Sequence, residues 1–246
     1  MESEKDVDQI LQEDGNVSLD EVSKKALLPG YPADPNGVIL ESDYTGRQLR
    51  EIEFIDESRM NALRAFDFFG DGSFYLLDSP GHAVGHMCGL ARTSSSTFVF
   101  MGGDGCHHCG SLRPSKYVAL PDQVSPSPFS VPPHLQNTIC PDALLEAINP
   151  KSSRTKPYYS HLEQAHGRDV AKAADAIDKM IAFDASEDVF VILAHDKTLV
   201  DVIDYFPKSA NGWKDKGWKE TTRWRFIEDF KGALPHGTDV QKLPLS

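Results

Sequence analysis

Between residues 50 and 101 the chain alternates short apolar runs with Gly, Ser and Asp punctuation, a spacing that belongs to strands and tight turns. REIEFIDE, around Ile52, Phe54 and Ile55, is the first such run. NALRAFDFFGDGSFYLLDS then places two apolar runs on either side of Gly70-Asp71-Gly72, which predicts a hairpin of Ala62 to Phe68 with Ser73 to Asp78. His86 to Arg92 and Thr97 to Met101 follow, joined by a Ser-rich turn. Consecutive short strands of this kind predict an antiparallel or mixed sheet.

After Met101 the pattern changes. Residues 119–158 are rich in Pro and Ser and lack periodicity, so they read as an irregular excursion with one short helix at Pro141 to Ile148, opened by its proline. From Arg168 to Phe183, Val170, Ala173, Ala174, Ile177, Met180 and Ile181 recur at helical spacing, and the continuous run VFVILAHD predicts a buried strand. A helix followed by a buried strand suggests a layered α/β arrangement. Leu199 to Phe206 and Glu220 to Phe230 read as further helices, with Trp213, Trp218 and Trp224 as packing anchors. At the other end, residues 1–26 form an acidic leader, helical or disordered, in which Ser18 and Glu21 have capping-box spacing. The expected division is therefore a leader at 1–26 and one domain at 27–246.

Composition narrows the partners. With 37 acidic against 25 basic residues the net charge is −12, so no broad basic surface invites nucleic acid or an anionic membrane. A small-molecule substrate fits better. No apolar run approaches the roughly 18 residues of a membrane span. The N-terminus has neither the basic nor the apolar region of a secretory signal, and four cysteines in mid-chain are not a disulfide scaffold, so a cytoplasmic, reducing setting is expected.

Candidate chemistry collects at strand ends. His82 follows YLLDSPG, Asp104 follows FVFMGG and His195 follows VFVILA. One His or Asp in such a place more often bonds a turn. Two imidazoles and a carboxylate together, each near glycine, are the ligand types that Zn²⁺ takes. GCHHCG, with Cys106, His107, His108 and Cys109, could bind zinc with help from Cys88, Cys140 or His134, but reads better as a Gly-flanked loop whose histidines line the pocket mouth or pack. Arg113 could orient an anionic product or form a structural ion pair. Asp67, Asp71 and Asp78 read as hairpin and turn residues, and His161, His166 and His236 as surface ones.

SPGHAVGH, the GGD of Gly102 to Asp104 and the AHD of Ala194 to Asp196 resemble, in order, three of the later metal motifs of the metallo-β-lactamase superfamily. The wording from ALLPGYP through FMGGDGCHHCGSLRPS is similar to a fungal branch of it, and the resemblance spans roughly residues 26–232. It implies a partial αββα sandwich with a site for two zinc ions at one edge. His82 would be a ligand of one ion, Asp104 would bridge both and act catalytically by orienting the attacking water, and His195 would complete the second ion's shell. His86 would support the site. The family's HxHxDH motif has no counterpart, because no histidine precedes His82, and the chain would begin where the family's first half ends. Three ligands shared between two ions fall short of the three or four that one Zn²⁺ takes. The implied activity is hydrolysis of a small lactam or lactone, in detoxification or secondary metabolism. The alternative is a truncated, inactive homologue with a binding role, and on either reading an oligomer or partner is expected to cover the exposed sheet.

Overall fold

The computed structural model describes residues 29–37, 40–46, 52–83, 85–125, 127–129, 140–159 and 169–233. The leader at 1–26 and His134, His161, His166 and His236 lie outside the described residues.

Five strands run in an antiparallel meander: β1 (Arg59–Met60), β2 (Leu63–Asp67), β3 (Phe74–Asp78), β4 (Met87–Arg92) and β5 (Phe98–Met101). The β2–β3 hairpin forms where the Gly-Asp-Gly punctuation places it. The Asp67 carboxylate accepts the amides of Gly70 and Gly72 at 2.9 and 2.8 Å, and Asp71 accepts that of Ser73. The chain then leaves the sheet. β6 (Gln123–Val124) pairs with β7 (Cys140–Pro141), the short helix α1 (Asp142–Ile148) follows, and α2 (Val170–Ala185) leads into β8 (Val189–Ile192), which joins the sheet parallel to β5. The result is a mixed six-stranded sheet in the order β1-β2-β3-β4-β5-β8, with few helices. A one-turn helix α3 (Trp218–Thr222) and a 3₁₀ stretch at Arg225–Ala233 close the described chain.

Alternation along the strands sends side chains to two faces. Leu77, Cys88, Leu90, Phe100 and Val191 pack with Ile177, Met180 and Ile181 of α2 in the main core. On the other face, Val99 and Phe190 pack with Leu199, Trp213 and Trp218, and the Trp213 ring stacks on Phe190 at 5.5 Å. Thus β5 and β8, the strands nearest the candidate site, are covered on both sides.

The C-terminus of α2 is fastened by buried charge. Arg113 makes three guanidinium contacts to Asp184 at 2.6 to 3.1 Å, and Lys219 donates to the carbonyls of Asp184, Ser186 and Val189. The Lys219 bonds to Asp184 and Ser186 satisfy carbonyls that the helix end leaves open, and its bond to Val189 ties that end to β8. Arg113 is therefore a structural ion pair rather than a product-orienting group.

Three sequence expectations need correction. Residues 52–58 form no strand: Phe54 is fully buried but its neighbour Ile55 is half exposed, and only Arg59–Met60 pairs with β2. The helix expected at Leu199 to Phe206 is a single 3₁₀ turn, Lys197–Leu199, followed by turns, consistent with Pro207 biasing its predecessor away from helix. The helix expected at Glu220 to Phe230 breaks after Thr222. There the Thr222 hydroxyl donates back to the Trp218 carbonyl and the Arg223 carbonyl is taken by Arg113.

Candidate metal centre

Topology brings the three strand-end residues together. β5 and β8 are parallel neighbours, and β3 runs in the same direction as β5 because both are antiparallel to β4. The segments leaving the C-terminal ends of all three strands therefore emerge at one edge of the sheet, carrying His82, Asp104 and His195.

Two glycines make the turns possible. Gly81 has φ +120°, its carbonyl accepts the Asp169 amide, and a Cβ there would lie 2.1 Å from the Ala173 nitrogen, so the turn packs directly on the start of α2. Gly103 has φ +52°, and its carbonyl accepts the Ala194 amide at 3.1 Å. That bond, with Gly102 N–H donating to Ile192, ties the loop after β5 to the loop after β8.

Asp104 stands at the centre. Its Oδ1 is 2.9 Å from His195 Nε2, and its Oδ2 is 4.0 Å from His82 Nε2. His107 lies between the other two imidazoles, with ring centroids 4.7 Å from His82 and 4.9 Å from His195. Among the described residues, Asp104, His107 and His195 form a group whose ligand atoms all lie within 4.8 Å of one another. His195 and Asp104 are exposed at 60 and 45% of their side-chain surface, so the group opens to solvent.

His86 supports this arrangement from below. Its Nε2 accepts the Asp104 amide at 3.2 Å, which assigns the proton to Nδ1, and Nδ1 faces the Ser79 carbonyl and hydroxyl at 3.1 and 2.8 Å. Burial holds His86 below the ordinary imidazole range and favours this neutral form.

GCHHCG divides its residues between site and core. Cys106 and Cys109 belong to the main core, where burial raises the Cys106 thiol to about 11 and the Cys109 thiol well above its usual value. Cys106 donates to the His108 carbonyl and Cys109 to the Asp196 carboxylate. The His108 ring accepts the Gly110 amide at Nδ1 and meets Asp229 at 3.2 Å through Nε2. Burial alone would raise Asp229, but Lys197 and His108 outweigh it and hold the carboxyl below its usual value. Only His107 turns toward Asp104. Sequence reasoning weighed His107 as part of a separate GCHHCG zinc motif and preferred a lining or packing role; the available signal was a histidine three residues after a strand-end aspartate. Cys88 is a buried core residue, and Asp78 pairs with Arg64.

The donor set of two imidazoles and a carboxylate suits a divalent ion such as Zn²⁺, and the thiols, protonated and turned inward, stand apart from it.

Comparison with known proteins agrees with this chemistry. The chain is 44% identical over 214 residues to the gamma-lactamase FDB1 of Fusarium pseudograminearum, covering 84% of this chain and 50% of that one. It is 44% identical over 211 residues to the metallo-hydrolase mfmC of Annulohypoxylon moriforme, 85% of this chain and 54% of that one. To the gamma-lactamase MBL2 of Gibberella moniliformis it is 40% identical over 163 residues, 64% of this chain and 66% of that one. The chain thus spans about half the length of the first two relatives. No family model matches the chain, and no solved structure does. The ordered PGH, GGD and AHD motifs, their convergence on one sheet edge and these relatives together show that the chain belongs to the metallo-β-lactamase superfamily, alongside its fungal members.

Proposed function

We propose that the chain is a metal-dependent hydrolase that opens a small lactam, or the corresponding lactone, with Asp104, His82 and His195 as its functional residues. The observation that carries this reading is the Asp104 carboxylate, which presents one oxygen to His195 and the other to His82 at a solvent-open sheet edge. Two relatives are named gamma-lactamases, which favours a cyclic amide. A role in detoxification or secondary metabolism is part of the same proposal, as is the sheet with α2 being one half of an αββα sandwich. Zinc is the ion that the donor set favours.

When bound, such an ion polarises a carbonyl group and makes a water molecule more acidic. The chain's own residues do the rest. Water oxygen bonds to the ring carbonyl carbon, the ring C–N or C–O bond breaks, and a proton passes to the departing atom. Asp104 Oδ2 accepts a hydrogen bond from the incoming water and fixes its direction. His86, by accepting the Asp104 amide, fixes the backbone that carries that carboxylate. Exposure of His195 leaves room for the substrate ring.

The test is turnover of a panel of γ-lactams and γ-lactones by the purified protein with added Zn²⁺, alongside D104N. Ring opening by the wild type and its loss in D104N support the reading. Absence of ring opening across the panel, with no metal retained, sinks it in favour of a non-catalytic homologue.

A further inference from the structure

We infer that His107 is a metal ligand, so that Asp104, His107 and His195 form one complete three-ligand site on this chain. The inference rests on the metal-hydrolase reading for the purpose of the ion, but it concerns a residue which that reading does not use.

His82, Asp104 and His195 alone leave the ligand arithmetic short. Shared between two ions, they give each only one imidazole and one side of a carboxylate, whereas Zn²⁺ open to substrate takes three protein ligands. His107 changes the count for the ion beside His195. Its ligand atom lies within 4.8 Å of those of both Asp104 and His195, against about 3.4 Å between donors bound tetrahedrally at about 2.1 Å. Side-chain adjustment of up to about 1.4 Å closes that gap. His82 meets the opposite carboxylate oxygen at 4.0 Å and is not part of this group.

The loop is built to hold His107 in this position. Cys106 on one side is fully buried and Cys109 on the other nearly so, the Gly105 amide donates to the Gly102 carbonyl, and His108 is pinned to Asp229. Of the loop's four Cys and His side chains, three are committed inward, and the fourth contacts the rings of both His82 and His195. Two histidines and one carboxylate on one ion, with a further position open, make a catalytic rather than a structural zinc site.

Zn²⁺ binding to the full chain tests this by equilibrium competition with a chromophoric chelator, for wild type, H107Q, H195Q and D104N, each checked for folding by circular dichroism. One ion per chain is expected, with H107Q weakening the Kd by roughly 100-fold or more, as a direct ligand should exceed the 10- to 100-fold effect of an outer partner. A second readout uses folded wild type alone. In imidazole ¹⁵N–¹H correlation spectra, one equivalent of Zn²⁺ should move the His107 nitrogens together with those of His195. Binding that D104N and H195Q abolish but H107Q leaves within about threefold, with His107 signals unmoved, overturns the inference and leaves the hydrolase reading standing. Failure of the wild type to bind Zn²⁺ overturns both.

Discussion

Replacing Gly81 by alanine gives a sharp test of how the PGH turn is built. The added methyl would lie 2.1 Å from the Ala173 nitrogen, 2.5 Å from its Cα and 2.8 Å from its Cβ. These atoms belong to the first turn of α2, two of them backbone, so no rotamer change relieves the overlap and either the turn or the helix must move. The φ of +120° adds strain of roughly 1–3 kcal/mol for a residue with a Cβ. Overpacking contributes roughly 1–3 kcal/mol, and loss of the Asp169 bond to the Gly81 carbonyl about 1 kcal/mol. The expected total of about 3–7 kcal/mol is a large share of the 5–15 kcal/mol typical of a folded domain. Urea unfolding followed by tryptophan fluorescence measures it. Gly70→Ala is the control, since Gly70 also has positive φ but a Cβ there meets nothing within 4 Å. If G81A costs no more than G70A, the close approach to α2 is not what fixes the turn, and the reasoning fails.

Three further outcomes follow from the packing around that turn and sheet. Lys219→Met removes the donor to the carbonyls of Asp184, Ser186 and Val189 and should cost roughly 3–5 kcal/mol in denaturant unfolding, whereas a loss below about 1 kcal/mol would show the ammonium to be dispensable. Burial pushes the Asp184 carboxyl up, but the Arg113 charge outweighs it and holds the group below its usual value of 3.8. Its stabilisation is therefore complete above pH 3.8 and lost as pH falls through the lower folded value, so acid unfolding of the wild type should steepen there while D184N shows no such step. Asp67→Ala removes the acceptor for two hairpin amides and should lower stability by roughly 1–2 kcal/mol, with Zn²⁺ affinity unchanged in the same chelator assay.

The sheet was legible because local signals and tertiary packing agree there. The Gly-Asp-Gly turn, the short punctuated apolar runs of β2 to β5 and the unbroken apolar run of β8 each specify an element that the sheet then buries. The helix α2 was legible for the same reason, because its apolar stripe faces the main core. The misread segments depend on partners or breakers that their own pattern does not show. Nothing local to Glu220 to Phe230 reveals that Arg113, 110 residues earlier, takes the Arg223 carbonyl and bends the chain. Likewise REIEFIDE alternates, but a strand also needs a neighbour, and among the described residues only Arg59–Met60 finds one.

Within the candidate site the same distinction separates the residues. His82, Asp104 and His195 announce themselves because each follows a strand, and three strands running the same way must deliver their ends to one edge. His107 follows no strand. Its neighbours Cys106, His108 and Cys109 have equal claims by composition, and what separates them is the direction of each side chain, which the core decides. Cys106 and Cys109 are drawn inward as small apolar groups, and His108 is drawn toward Asp229 and the rings of Tyr159 and Phe226. A loop with two histidines between two cysteines can look like a zinc motif of its own. Here the cysteines serve as apolar anchors, and the chemistry is left to the one imidazole they hold beside Asp104.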